Sequence, residues 1–220
     1  MLTLYGVYRS RASRPLWLLH ETGMPFRHVP VMQAYRLPDP AAADAPLNTA
    51  SAVYVAINPQ GQVPCLVDGD LVLTESMGIT LHLAKAEAAG AVGPRDAGEK
   101  ALMVQWALHA ATAVEGPAVQ IMYVVRDGAD ATPDGQAAIG VEAERLRRPF
   151  ARLNRHLADH EWMVGARFTA ADINTAECVR YAQSQPALLA EFPALSRWLA
   201  ACQARPGFRA MWALRDAEPA

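Results

Sequence analysis

Cysteine is scarce in this chain: Cys65, Cys178 and Cys202 are odd in number, far apart and without a CxxC pair. That spacing writes neither a disulfide framework nor a zinc site, so no metal is expected and a reducing compartment is favoured. No stretch approaches the ~18 consecutive apolar residues of a membrane span. Arg9, Arg11 and Arg14 near the start are not followed by an apolar run long enough for a secretory signal. Charge of either sign is sparse too. With charged residues at 19% and a formal net charge of −2, there is no basic surface for nucleic acid. Internal repeats and low-complexity tracts are absent. What is there is a chain of 220 residues, 52% hydrophobic, enough for one or two domains with a real core. A cytoplasmic protein is expected.

The first part alternates short strands with helices. Leu2 to Tyr5 reads as a strand, and Pro15 to Thr22 as a helix with Ser13 as N-cap and Gly23 as its stop. Leu16, Trp17, Leu18 and Leu19 make that helix apolar nearly all round, so it should be buried. Arg27 to Val31 gives a second strand and completes a β-α-β unit. Pro38 to Pro46 is rich in Pro, Ala and Asp and reads as a surface loop, before a short helix from about Thr49 to Ile57. A further helix is expected from Ser76 to about Ala88, with Ile79 and Leu83 on one face. Residues 89–96 then act as a linker, since Gly90, Gly93 and Pro94 interrupt helix. Beyond it the pattern is purely helical: Gly98 to Arg126 with a kink at Gly116-Pro117, Gln136 to His160 bent at Pro149, Thr169 to Gln183, and Pro193 to Ala204. An α/β domain over 1–88 followed by an all-helical domain over 97–220 is the expectation. Thr169 and Asp172 have the spacing of a capping box.

The segment Asn58-Pro59-Gln60-Gly61-Gln62-Val63-Pro64-Cys65-Leu66-Val67, followed by Leu71 to Ser76, carries the functional signal. It reads as a turn, a strand opened by Val-Pro, a second strand, and a helix beginning at Glu75-Ser76. Pro64 removes a backbone donor and permits a cis bond, while Val63 keeps its N–H and C=O for a ligand. The helix opening offers free N–H groups, a seat for a carboxylate.

These motifs resemble the cytosolic glutathione transferases, in their serine-type, bacterial or theta-like form, over essentially the whole chain. Ser10-Arg11-Ala12-Ser13-Arg14-Pro15-Leu16-Trp17-Leu18-Leu19 resembles the family's segment after the first strand. Asn58 through Pro64 and Thr74-Glu75-Ser76 resemble its glutathione site, and Gly165 with Phe168 to Ile173 its structural box. The resemblance implies a thioredoxin-like domain followed by a helical bundle, and a homodimer. The activity implied is conjugation of glutathione, as co-substrate, to a small hydrophobic electrophile, a detoxification reaction without metal or prosthetic group. It implies a cis Val63–Pro64 bond that lets Val63 pair with the cysteinyl backbone. Ser76 would bind the γ-glutamyl carboxylate, Glu75 would support the amine, and Gln62 would reach the glycine carboxylate. The loop from Gln33 to Ala56 departs from the family pattern, so ligands for the glycine end are not carried over there.

Ser10 lies four residues before Arg14, at the position of the family's catalytic Ser or Cys. A thiol with a reference pKa of ~8.5 must be lowered about two units to ionise near neutrality, which needs roughly 2.7 kcal/mol. One hydrogen bond to a charged group supplies about 1.5–3 kcal/mol, so a single hydroxyl would suffice. Tyr5 stands where the tyrosine classes carry their donor and remains a rival. Ser13, as an N-cap, would have its oxygen engaged. Tyr8, Trp106 and His109 are candidates for the electrophile pocket, with core packing the alternative for Trp106. Cys65 reads as a buried small hydrophobe. The competing functions are a non-catalytic binding module of the same fold, and a glutathione-dependent isomerase or disulfide reductase.

Overall fold

A computed structural model describes residues 1–86, 90 and 92–218. The chain forms two compact units, Met1–Gly90 together with Arg205–Ala220, and Ala91–Ala204. The expected domain end at residue 88 and the linker residues Ala89 and Ala91 lie outside the described residues.

The first unit runs β1 (Thr3–Tyr5), α1 (Ser13–Thr22), β2 (Arg27–Val29), α2 (Ala52–Val55), β3 (Cys65–Asp68), β4 (Leu71–Leu73) and α3 (Ser76–Leu83). The sheet order is β2-β1-β3-β4, with β1 parallel to β2 and antiparallel to β3, and β3 antiparallel to β4. The parallel pair is what the crossover through α1 demands, since a two-residue turn cannot join parallel strands. Leu4 and Leu66 face each other across β1 and β3, both fully buried. α1 is buried along Ser13 to Leu19, as its all-round apolar sequence requires, and Gly23 ends it at φ 68° with its N–H on the Leu19 carbonyl.

Two expectations change here. Ser13 is the first residue of α1 and not its cap; Ala12 precedes it with helical dihedrals and no side-chain cap. The last helix, α10 (Pro206–Ala217), packs on α1 and belongs to this unit, where the expectation counted its residues in the helical domain. Phe208 meets Trp17 edge-on at 4.9 Å, and Arg205 donates from Nε to the Glu21 carboxylate at 2.7 Å. Pro206 opens α10 at a position where its missing N–H costs nothing, directly after the extended Arg205.

The second unit contains α4 (Ala97–His109), a π-helical segment over Ala110–Glu115, α5 (Gly116–Arg126), α6 (Pro133–Asp159), α7 (Ala170–Val179), α8 (Pro186–Ala190) and α9 (Pro193–Gln203). Among the described residues it has no strand. The irregularity expected at Gly116-Pro117 falls just before it, in the π segment, and Pro117 sits in the first turn of the new helix, where a missing N–H is tolerated. α6 continues through a buried Pro149.

Asp172 is fully buried and holds the unit's hub. Its Oδ2 accepts from Thr169 N–H (2.8 Å) and hydroxyl (3.0 Å), and its Oδ1 from Met163 N–H and Trp198 Nε1, both at 2.9 Å. With the reciprocal Thr169 bond this is a capping box on α7. Burial pushes the carboxyl up to about 6 against the pull of those donors. Thr169→Ala should cost about 0.5–2 kcal/mol, read as a lower denaturant midpoint with ligand contacts in the other unit untouched.

The Glu99 carboxylate pairs with Arg167, Oε1 accepting from Nη1 at 2.8 Å and Oε2 from Nη2 at 2.6 Å, and that guanidinium holds its pKa down at about 2. A depressed carboxyl stabilises the fold fully above its ordinary range near 4.5 and loses that contribution as pH falls through about 2. Glu99→Gln should therefore flatten the acid limb of stability over that window, read by denaturant midpoints at stepped pH.

Candidate active site

The turn before β3 is built to hold one carbonyl. Gln62 C=O accepts from the Tyr54 hydroxyl at 2.5 Å and from Asn58 Nδ2 at 2.7 Å. Both donors are completely buried. Asn58 also caps its own turn, with Oδ1 accepting from Gln60 N–H and its C=O from Gly61 N–H. Gly61 takes φ 57°, and a Cβ there would lie 2.9 Å from the Thr49 carbonyl oxygen, so only glycine fits. The result is a fixed approach into Val63 and a cis Val63–Pro64 peptide. Among the described residues, neither the N–H nor the C=O of Val63 has a hydrogen-bond partner.

The β1–α1 turn comes against this edge at Gly6. That residue sits at φ 140°, and a Cβ on it would meet Ala12 Cβ at 3.0 Å and Val63 Cβ at 3.4 Å. Ser10 follows in the same turn, half-buried. Its hydroxyl donates to Val7 C=O at 2.6 Å and accepts from Ala12 N–H at 3.0 Å, while its own C=O accepts from Ser13 N–H. Ser10 thus closes the turn ahead of α1, whose first turn carries no side-chain cap. Its single hydroxyl hydrogen is already used.

α3 opens beside a buried cation. Glu75, exposed, precedes the helix in extended conformation, and Ile79 N–H closes the first turn on its carbonyl at 2.7 Å. Arg14, only 1% exposed, donates from Nη1 to Ser76 Oγ at 2.8 Å. With its oxygen accepting, the Ser76 hydroxyl can still donate outward. The helix end, that hydroxyl and the guanidinium behind it together favour a carboxylate.

The other candidates have partners of their own. The Tyr8 ring is buried, its phenol pairs with His20 Nε2 at 2.9 Å, and its edge meets His28. Burial, reinforced by the Glu218 carboxylate, pushes it up to about 12, so it stays protonated. Tyr5 packs in a cluster with Val31, Tyr54 and Cys65, its ring 6.0 Å from that of Tyr54. Cys65 is fully buried and pushed up to about 11, an inert thiol. Gln62 directs its carbonyl inward and leaves its side chain exposed. Trp106 and His109 belong to the helical unit: Trp106 is buried under the Arg152 guanidinium (5.0 Å) and beside His156 (4.7 Å), with His109 against its edge.

Comparison with known proteins bears on this arrangement. The family models for the glutathione S-transferase N-terminal domain and C-terminal domain match residues 8–86 and 116–206. Glutathione S-transferase 3 of Zea mays is 30% identical, over 94% of this chain and 91% of its own. The chain belongs to the glutathione S-transferase superfamily. Its enzyme class is that of a glutathione transferase. The structure of glutathione transferase F7 from Populus trichocarpa, 25% identical, covers 98% of this chain and 99% of its own at a TM-score of 0.78. A theta-class transferase from Xanthomonas axonopodis pv. citri, solved with glutathione bound, is 28% identical over 95% of each chain at a TM-score of 0.73.

Within this glutathione transferase fold, sequence reasoning passed over Tyr54 and Asn58 as supports and Arg14 as the partner of Ser76. The signal for Tyr54 was a lone aromatic between exposed Val53 and Val55 on a short helix. Tyr54→Phe removes one of the two donors to Gln62 and should lower stability by about 0.5–1.5 kcal/mol, measured as a shift in denaturant midpoint.

Proposed function

We propose that this glutathione transferase binds glutathione along Val63 and at the head of α3, and attacks a small hydrophobic electrophile with the bound thiolate. The observation that carries the reading is the unengaged backbone edge of Val63, adjoining the Ser10 turn at Gly6. Val63 supplies an antiparallel pair of hydrogen bonds to the cysteinyl residue. Ser76 takes the γ-glutamyl carboxylate through its N–H and hydroxyl, backed by Arg14, and Glu75 faces the amine. Gln62 contributes from the exposed side of the turn. The proposal includes a cytoplasmic homodimer acting in detoxification; three buried free cysteines support the reducing compartment, and membership in the family supports the dimer.

Ser10 activates the sulfur, but with less force than a free hydroxyl. To donate to a thiolate it must release Val7 C=O, exchanging a neutral bond of about 0.5–1.5 kcal/mol for a charge-assisted one of about 1.5–3. The net is roughly 1–1.5 kcal/mol, near one pKa unit. The remaining depression needs another source, of which the N-terminal end of α1 is the nearest, worth about 0.3–1 kcal/mol. The same Val7 bond favours a second reading, in which Ser10 is a turn cap and the protein binds without catalysing. Tyr5, packed against Tyr54, is the weaker donor.

Thiolate absorbance against pH separates these. Ser10→Ala should leave glutathione affinity near neutral pH intact, raise the thiol's titration by about one unit and slow conjugation roughly five- to tenfold. Ser76→Ala should weaken binding and leave the sulfur's titration alone. Full activity in Ser10→Ala with loss in Tyr5→Phe would move the role to the tyrosine. Binding by the unaltered protein without thiolate or turnover would establish the binding module.

A further inference from the structure

The turn that presents Ser10 takes its backbone partners from the far end of the chain. Glu218 accepts with Oε1 from Tyr8 N–H at 2.7 Å and with Oε2 from Arg9 N–H at 2.8 Å. Arg215 Nη1 donates to Tyr8 C=O at 2.8 Å, and Arg9 Nε returns a bond to Arg215 C=O at 3.0 Å. Two consecutive amides chelated by one carboxylate form a charge-assisted grip, stronger than neutral pairing and fixed in direction. Upstream of it stands Val7, whose carbonyl holds the Ser10 hydroxyl hydrogen; downstream stands Ser10 itself. Glu218 and Arg215 therefore hold the backbone at Tyr8 and Arg9, between Val7 and Ser10, and the Glu218 carboxylate does so without touching the Ser10 hydroxyl.

We propose that Glu218 is a positioning residue for the reaction, holding the Tyr8–Arg9 amides so that the Ser10 hydroxyl stays in reach of the sulfur when it leaves Val7. The inference rests on Ser10 as thiolate donor. Because the α3 head and Val63 have their own supports in Arg14, Tyr54 and Asn58, releasing the clasp should act on chemistry and spare binding.

The test is Glu218→Ala, with Glu218→Asp as the conservative variant, each read three ways. Amide exchange at Tyr8 and Arg9, without glutathione, reads the clasp. The pH titration of bound thiol and the split between kcat and KM for glutathione read the positioning. The expected result is faster exchange at both amides, a thiol titration moved upward by no more than the roughly one unit of Ser10→Ala, and kcat lowered severalfold, at most by the roughly five- to tenfold of Ser10→Ala, with KM near its native value, partly restored by aspartate. Should the alanine variant not fold, Glu218→Gln, which keeps one acceptor and loses the charge, carries the same readouts. Faster exchange with unchanged titration and kcat, or a change in KM alone, would overturn the proposal while leaving the glutathione reading intact. An unaltered protein that binds no glutathione would overturn both, even with the clasp visible in exchange.

Discussion

The grip of Tyr54 and Asn58 on the Gln62 carbonyl is the constraint on which the proposed ligand edge depends. A strand edge offers its N–H and C=O to whatever arrives, including a wrong register of its own chain. Here the last carbonyl before the edge is fixed by two fully buried donors, and Gly61 is locked over Thr49. The backbone of Val63 is left as a short, directed segment with no internal alternative. Preorganisation of this kind spares a ligand the cost of ordering the loop it binds.

From that edge the rest of the first unit follows in layers. Gly6 lets β1 and the head of α1 come against Val63 at a φ of 140° and a spacing that a side chain would strain. α1 then reaches α3 through Arg14 and Ser76, and its outer face is covered by α10. The buried Arg14 is costly to desolvate and stays charged, so its bond to Ser76 places a positive charge directly behind a helix N-terminus. The helical unit has its own keystone in Asp172, whose four donors join α7, the segment at Met163 and α9.

Much of this was legible in the sequence where the signal is local. The strand–helix alternation, the Gly23 stop, the Thr169–Asp172 box and the Val-Pro and Glu-Ser pairs all depend on neighbours within a few residues, and spacing reports them. What was not legible depends on contacts far along the chain. α10 looks like any terminal helix until Phe208 meets Trp17 and Arg205 meets Glu21. Ser13 begins α1 without capping it, because a capping preference cannot say which residue of the turn starts the helix. The pairing of the Tyr8 phenol with His20, twelve residues on, gave no signal in the sequence. Tyr54 gave no periodic signal because its purpose is a single hydrogen bond to the carbonyl of Gln62.

The central claim is that the backbone of Val63 and the head of α3 are the glutathione-binding surface. It is tested most directly by titrating the unaltered protein with glutathione while following its backbone amide resonances. The account predicts saturable shifts at Val63 and Ser76 that share one dissociation constant, with Thr169 and Asp172 unmoved. Saturation with those two amides silent and the shifts elsewhere, or no saturable change at all, would contradict it.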